Sequence, residues 1–161
     1  MGEFVGFTFK RLFEFVNAQG EVKKDMEGMP SWRKDITKEN YKQYIKNNHK
    51  GHAIITGKIS GITVFDFDIK EVYNEFVEKY PILKKYRTIK TLKGYHVYCN
   101  YDEDIKTTTD GFINHKGVDI RNDGAIVFAP PCERNLLDKS IFVYEDLGGD
   151  ILPVPDFFVD N

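Results

Sequence analysis

The sequence predicts an α+β fold: a mainly antiparallel sheet with a split β-α-β core and flanking helices. Three observations carry that prediction. Short runs of β-branched and aromatic residues recur along the chain, and one amphipathic segment of helical period interrupts them. The second half reads almost wholly as strands separated by Gly- and Asn-bearing turns, an order that suits an antiparallel sheet with helices set apart from it.

Taken in order, Phe7 to Val16 (FTFKRLFEFV) is aromatic-rich and fits a strand or a helix equally well. Asn17 to Pro30 carries Gly20, Gly28 and Pro30 and reads as turn and loop. Thr37 is placed to cap a helix, with Tyr41, Tyr44 and Ile45 at helical spacing behind it. GHAIITGK and GITVFDFDIK read as two short strands joined around Ser60-Gly61. From Glu71 to Tyr80, Val72, Phe76 and Val77 share one helical face, and Pro81 ends the helix. TIKTL and GYHVYCNY form a strand pair turning near Lys93-Gly94. VDIR and AIVFAP form a second pair across Asn122-Asp123-Gly124, and IFVYEDL adds one more strand.

The 161 residues suffice for one domain with a sizeable core. A chain 41% hydrophobic and 30% charged is globular in composition, and no apolar run reaches the length of a membrane span. Cys99 and Cys132 are too few and too far apart for a zinc cage, and fit packing in a reduced, intracellular setting. Charge is unevenly placed. From Leu136 to Asn161 six acids face one base, which leaves 22 bases and 19 acids in residues 1–135 out of totals of 23 and 25. The single domain therefore has a basic part over about 1–135 and an acidic end over about 136–161. A basic groove or an ordinary mixed surface both fit those counts.

Within ITVFDFDIK, Asp66 and Asp68 interrupt a strand-forming run and, at period two, point to one face. Like charges so close repel unless one is protonated or a cation lies between them. Either a divalent metal site or an exposed strand face fits the pair alone, although Val64, Phe65 and Phe67 argue for a buried strand. His96 opens a later strand after Gly94-Tyr95, and Asp119 sits inside VDIR.

The order VFDFD, KGYH, then VDIR followed by FAPP resembles the archaeo-eukaryotic primase superfamily. More narrowly, it is similar to the primase–polymerase (prim-pol) domains of plasmids, viruses and other mobile elements. GMPSW and AIITGKISGITVFDFD add to the likeness, which covers residues 28 to 131. The chain departs from the family in having Gly124-Ala125-Ile126 where Gly-Gly-Tyr is common, and in having Asp at both positions of the acidic pair.

The resemblance implies an RRM-like catalytic core. It implies two Mg²⁺ or Mn²⁺ ions on Asp66, Asp68 and Asp119, with His96, Arg121 and Lys93 on the phosphates of an NTP or dNTP. It implies a nucleotidyltransferase that makes and extends primers on single-stranded DNA. With the acids gathered at the C-terminal end and the acidic site, the template contacts are expected among Lys84, Lys85, Arg87, Lys90 and Lys106, interleaved with Tyr86, Tyr98 and Tyr101, an ordinary solvated face being the alternative. Such domains are often fused to a helicase, and LPVPDFFVDN reads as the start of a linker to one. Two alternatives stand beside this. One is a catalytically weak sheet that binds single strands. The other is a haloacid-dehalogenase-like phosphatase, whose nucleophile strand also fits VFDFD but which needs a parallel sheet.

Overall fold

The structure, a computed structural model, describes residues 3–108 and 117–159. In chain order its strands are β1 (Gly6–Phe9), β2 (Arg11–Val16), β3 (Val22–Glu27), β4 (Gly51–Ile55), β5 (Ile62–Phe67) and β6 (Arg87–Lys90). There follow β7 (Tyr95–Asn100), β8 (Val118–Arg121), β9 (Ile126–Phe128), β10 (Glu133–Asn135), β11 (Ile141–Val143) and β12 (Glu145–Asp146). The α-helices are α1 (Trp32–Asp35) and α2 (Lys70–Lys79), and 3-10 turns span Tyr41–Tyr44, Pro81–Lys85 and Asp156–Phe158. Strands dominate and most pairings are antiparallel, which makes this an α+β fold. The chain divides into two compact units, one of residues up to Ile54 with Phe128–Glu145, the other of Ile55–Val127 with the residues from Asp146 onward.

In the first unit the ambiguous FTFKRLFEFV proves to be two strands broken at Lys10. β1 is wholly buried and runs antiparallel to β4, from Gly6 opposite Ile54 to Phe9 opposite Gly51. β2 pairs antiparallel with β3 along its whole length and parallel with β10, and β11 closes that sheet. Here the loop expected over Asn17–Pro30 is corrected. VKKDME has polar side chains on both faces, so it lacks the alternation that marks a half-buried strand, yet β2 supplies its partner. The helix expected behind Thr37 is corrected to a single 3-10 turn. Thr37 and Asn40 exchange side-chain hydrogen bonds with each other's backbone N–H, at 2.8 and 3.1 Å, and this local closure competes with helix propagation. IFVYEDL is likewise two strands, β11 and β12, broken at the buried Tyr144. β10 was not anticipated at all. Its Arg134, 8% exposed, bonds Glu14 on β2 at 2.9 Å.

The second unit holds the sheet that carries the charged residues, in the order β6-β7-β5-β8. β5 and β6 are each antiparallel to the intervening β7, hence parallel to one another and joined through α2: a split β-α-β unit. Leu147 extends the far side of β6 by donating its N–H to the Thr88 carbonyl. Strand alternation sends Phe65, Phe67, Val97, Val118 and Ile120 to one face, where Phe76 of α2, Leu83, Tyr86 and Phe158 complete the core. Phe67 meets Phe76 edge-on at 5.6 Å, and Phe65 stacks on Phe158 at 4.1 Å. The stretch read as the start of a linker therefore contributes core residues as far as Phe158, while its last two residues lie outside the described ones. The expected VDIR–AIVFAP hairpin is corrected: β8 pairs antiparallel with β5, and β9 is not its neighbour.

Candidate active site

Register assembles the site. On β5, Phe65 and Phe67 face the core, so Asp66 faces the other way. It lies directly opposite His96 on β7 and directly opposite Asp119 on β8. Arg121, two residues on, shares the face with Asp119. Asp68 follows the end of β5, tied there by its N–H to the Gly117 carbonyl at 2.9 Å. Asp66, Asp68 and Asp119 each place a carboxylate oxygen within 4.8 Å of the others, Asp66 buried, Asp119 half-buried and Asp68 exposed.

An imidazole and a guanidinium flank them. His96 Nε2 is 3.3 Å from Asp66 Oδ1, and the Arg121 guanidinium lies 3.9 Å from Asp66 and 3.7 Å from Asp119. Burial by itself would push the Asp66 carboxyl up. The charge and hydrogen bond of His96, then Arg121, then a hydrogen bond with Asp68 outweigh it and hold Asp66 below the usual carboxylate range. Asp66 is thus kept ionised at the centre of the group. The donor set is all oxygen, from three carboxylates, which is the preference of hard divalent cations, and exposed Asp68 leaves one side open. The residues fit a Mg²⁺ or Mn²⁺ site.

The turn ahead of His96 explains its placement. Thr91 and Gly94 bond reciprocally, Thr91 N–H to Gly94 O and Gly94 N–H to Thr91 Oγ1, both at 3.0 Å. Gly94 lies against β5 so closely that a Cβ there would stand 1.8 Å from the Phe67 carbonyl oxygen. Lys93 is exposed on this turn. The residues expected at a template groove are spread more widely. Lys84 and Lys85 are exposed in the Pro81–Lys85 turn, and Lys106 is exposed in the connection before β8. Lys90 lies opposite Tyr95, which places it on the α2 face of the sheet, away from Asp66. Arg87 shares an ion pair with Asp146 at 2.9 Å.

Sequence reasoning missed two supports, Thr91 and Asn122. Both are ordinary turn residues by composition, and only the Gly94 spacing hinted at the first.

A split β-α-β sheet with three carboxylates, an imidazole and a guanidinium gathered on one face is a candidate centre for phosphoryl-transfer chemistry. A family model for the bifunctional DNA primase/polymerase N-terminal domain, Prim-Pol, matches residues 15–154, and the chain belongs to that family. No curated protein matches it. Membership brings a primase/polymerase-type function in DNA replication, nucleotidyl transfer as the type of reaction, and DNA and nucleotides as substrates. No helix among the described residues is long and apolar enough to cross a membrane.

Proposed function

We propose that this is a prim-pol catalytic domain that starts and extends primers on single-stranded DNA inside the cell, using Mg²⁺ or Mn²⁺. The observation that carries the reading is the meeting of three carboxylates beside His96 and Arg121 in a Prim-Pol chain. Asp66, Asp68 and Asp119 would hold the cations. When bound, such ions lower the pKa of the attacking 3′-hydroxyl and neutralise charge on the departing pyrophosphate.

The chain's own groups do the rest. Asp66, kept ionised by His96 and Arg121, needs no proton loss before it takes a ligand. The Arg121 contacts, at 3.7 and 3.9 Å, are longer than hydrogen bonds, so the planar fork is free to turn to the triphosphate. His96, fixed by register rather than by a loop, donates to a phosphate oxygen, and Lys93 adds a mobile charge at the rim. The phosphatase alternative requires parallel neighbours for the VFDFD strand, and both neighbours of β5 run antiparallel. The family match speaks for DNA and nucleotides and does not extend to a helicase partner.

The test is Asp66→Ala combined with Asp68→Ala. Template-dependent extension, assayed well below the variant's thermal midpoint, should vanish while the circular dichroism spectrum still shows a folded β protein. The midpoint itself should fall, because Asp66→Ala takes away the carboxylate beside buried His96. Full extension by this variant with either metal would place the chemistry elsewhere.

A further inference from the structure

Asn122, next after Arg121, is fully buried, and both ends of its side-chain amide are hydrogen-bonded. Nδ2 donates to the Asp102 and Ile105 carbonyls at 2.9 and 2.6 Å, and Oδ1 accepts from Thr63 Oγ1 at 2.9 Å. Its backbone is engaged too, the N–H donating to Thr107 Oγ1 at 2.9 Å and the carbonyl accepting from Thr56 Oγ1 at 2.6 Å. Asp123 extends the knot, its Oδ1 accepting the Lys58 N–H at 2.9 Å. Gly57, at φ +92°, lies so near that a Cβ would be 2.4 Å from Asp123 Oδ1.

The position of this knot matters more than its size. β8 pairs with β5 as Asp119 opposite Asp66 and Arg121 opposite Val64, and the next facing positions in that register are Asn122 and Thr63. β8 has only four residues, so few ladder bonds hold its register. A slip of one residue would turn Asp119 and Arg121 to the core face. In the slipped register Thr63 could not meet Asn122, and the buried Asn122 Oδ1 would lose the hydrogen bond it accepts from Thr63.

We propose that Asn122 is a positioning residue: bonded to Thr63, it pins β8 in the one register that sets Asp119 and Arg121 against Asp66. It touches neither metal nor nucleotide. The inference rests on the reading of Asp119 and Arg121 given above.

The test uses the full chain with Thr63→Val, Thr63→Ser and Asn122→Ala. Mn²⁺ affinity is read from the signal of the free ion, and kcat and nucleotide KM from primer extension, all well below each variant's thermal midpoint. Thr63→Val and Asn122→Ala should weaken Mn²⁺ binding about 10-fold or more, the range for residues that orient metal ligands, and lower kcat. Thr63→Ser, which keeps the hydroxyl, should restore both. If the variants lower only the midpoint while Mn²⁺ affinity and kcat stay at wild-type values, Asn122 merely stabilises and the proposal is overturned. Should Asn122→Ala fail to fold, the isosteric Thr63→Val decides. Wild-type Mn²⁺ binding that survives Asp66→Ala would overturn the metal-site reading itself, a failure visible before any latch variant is compared.

Discussion

Replacing Gly94 by alanine adds one methyl group and should disable the enzyme. The new Cβ would lie 1.8 Å from the Phe67 carbonyl oxygen and 2.9 Å from its carbonyl carbon, so backbone must yield to backbone. Restoring an ordinary contact requires the turn and β5 to part by at least about 1 Å, a displacement of the size that costs roughly 10²-fold in rate when it reaches the reacting groups. It reaches them here because His96 stands two residues on and opposite Asp66, at 3.3 Å. The same strain should cost about 1–3 kcal/mol of stability, the usual range for overpacking. For a chain of this length each kcal/mol lowers the thermal midpoint by roughly 2–4 °C. Primer extension under saturating nucleotide and thermal denaturation followed by circular dichroism measure the two effects. A Gly94→Ala protein with wild-type midpoint and wild-type kcat would refute the claim that close approach of this turn places His96.

Other expectations follow from the same geometry. His96→Ala should raise nucleotide KM and lower kcat together, since the imidazole, in the proposed role, meets phosphate, and it also holds Asp66 ionised; steady-state kinetics over a nucleotide series reads it. Glu14→Ala should cost about 3–5 kcal/mol by leaving the buried Arg134 without its carboxylate, whereas replacing both partners by apolar residues should cost much less, as urea denaturation would reveal. Single-stranded DNA binding should weaken with salt, and reversing Lys84 and Lys85 should flatten the log–log slope by about 1–2. Reversing Arg87 is a poorer probe because it also breaks the pair with Asp146.

The site was the most legible part of the sequence because it is local in pattern. Two carboxylates at period two in an apolar strand need no tertiary information to be noticed, and α2 and the β6–β7 turn announce themselves by periodicity and by Gly94. What escaped was decided by distant partners. Asn122-Asp123-Gly124 has the composition of a hairpin turn, yet the Asn122 side chain is claimed by Thr63, Asp102 and Ile105, and the strand before it goes to β5. β3 is polar on both faces and becomes a strand only because β2 offers its edge. β10 has three residues, and its central Arg134 is buried through an ion pair that no window of sequence contains.

The ring of Phe158 has a consequence for how the molecule is made. β5, β6, β7 and β8 are all complete in the chain by Arg121, but Phe65 and Phe67 still lack the ring that stacks on the one and packs beside the other at 6.0 Å. A nascent chain therefore carries its three acidic side chains on a sheet whose opposite surface, though met by Phe76, Leu83 and Tyr86, stays incompletely covered until Phe158 emerges. A chain interrupted before that residue would expose part of the aromatic underside of the sheet that carries Asp66.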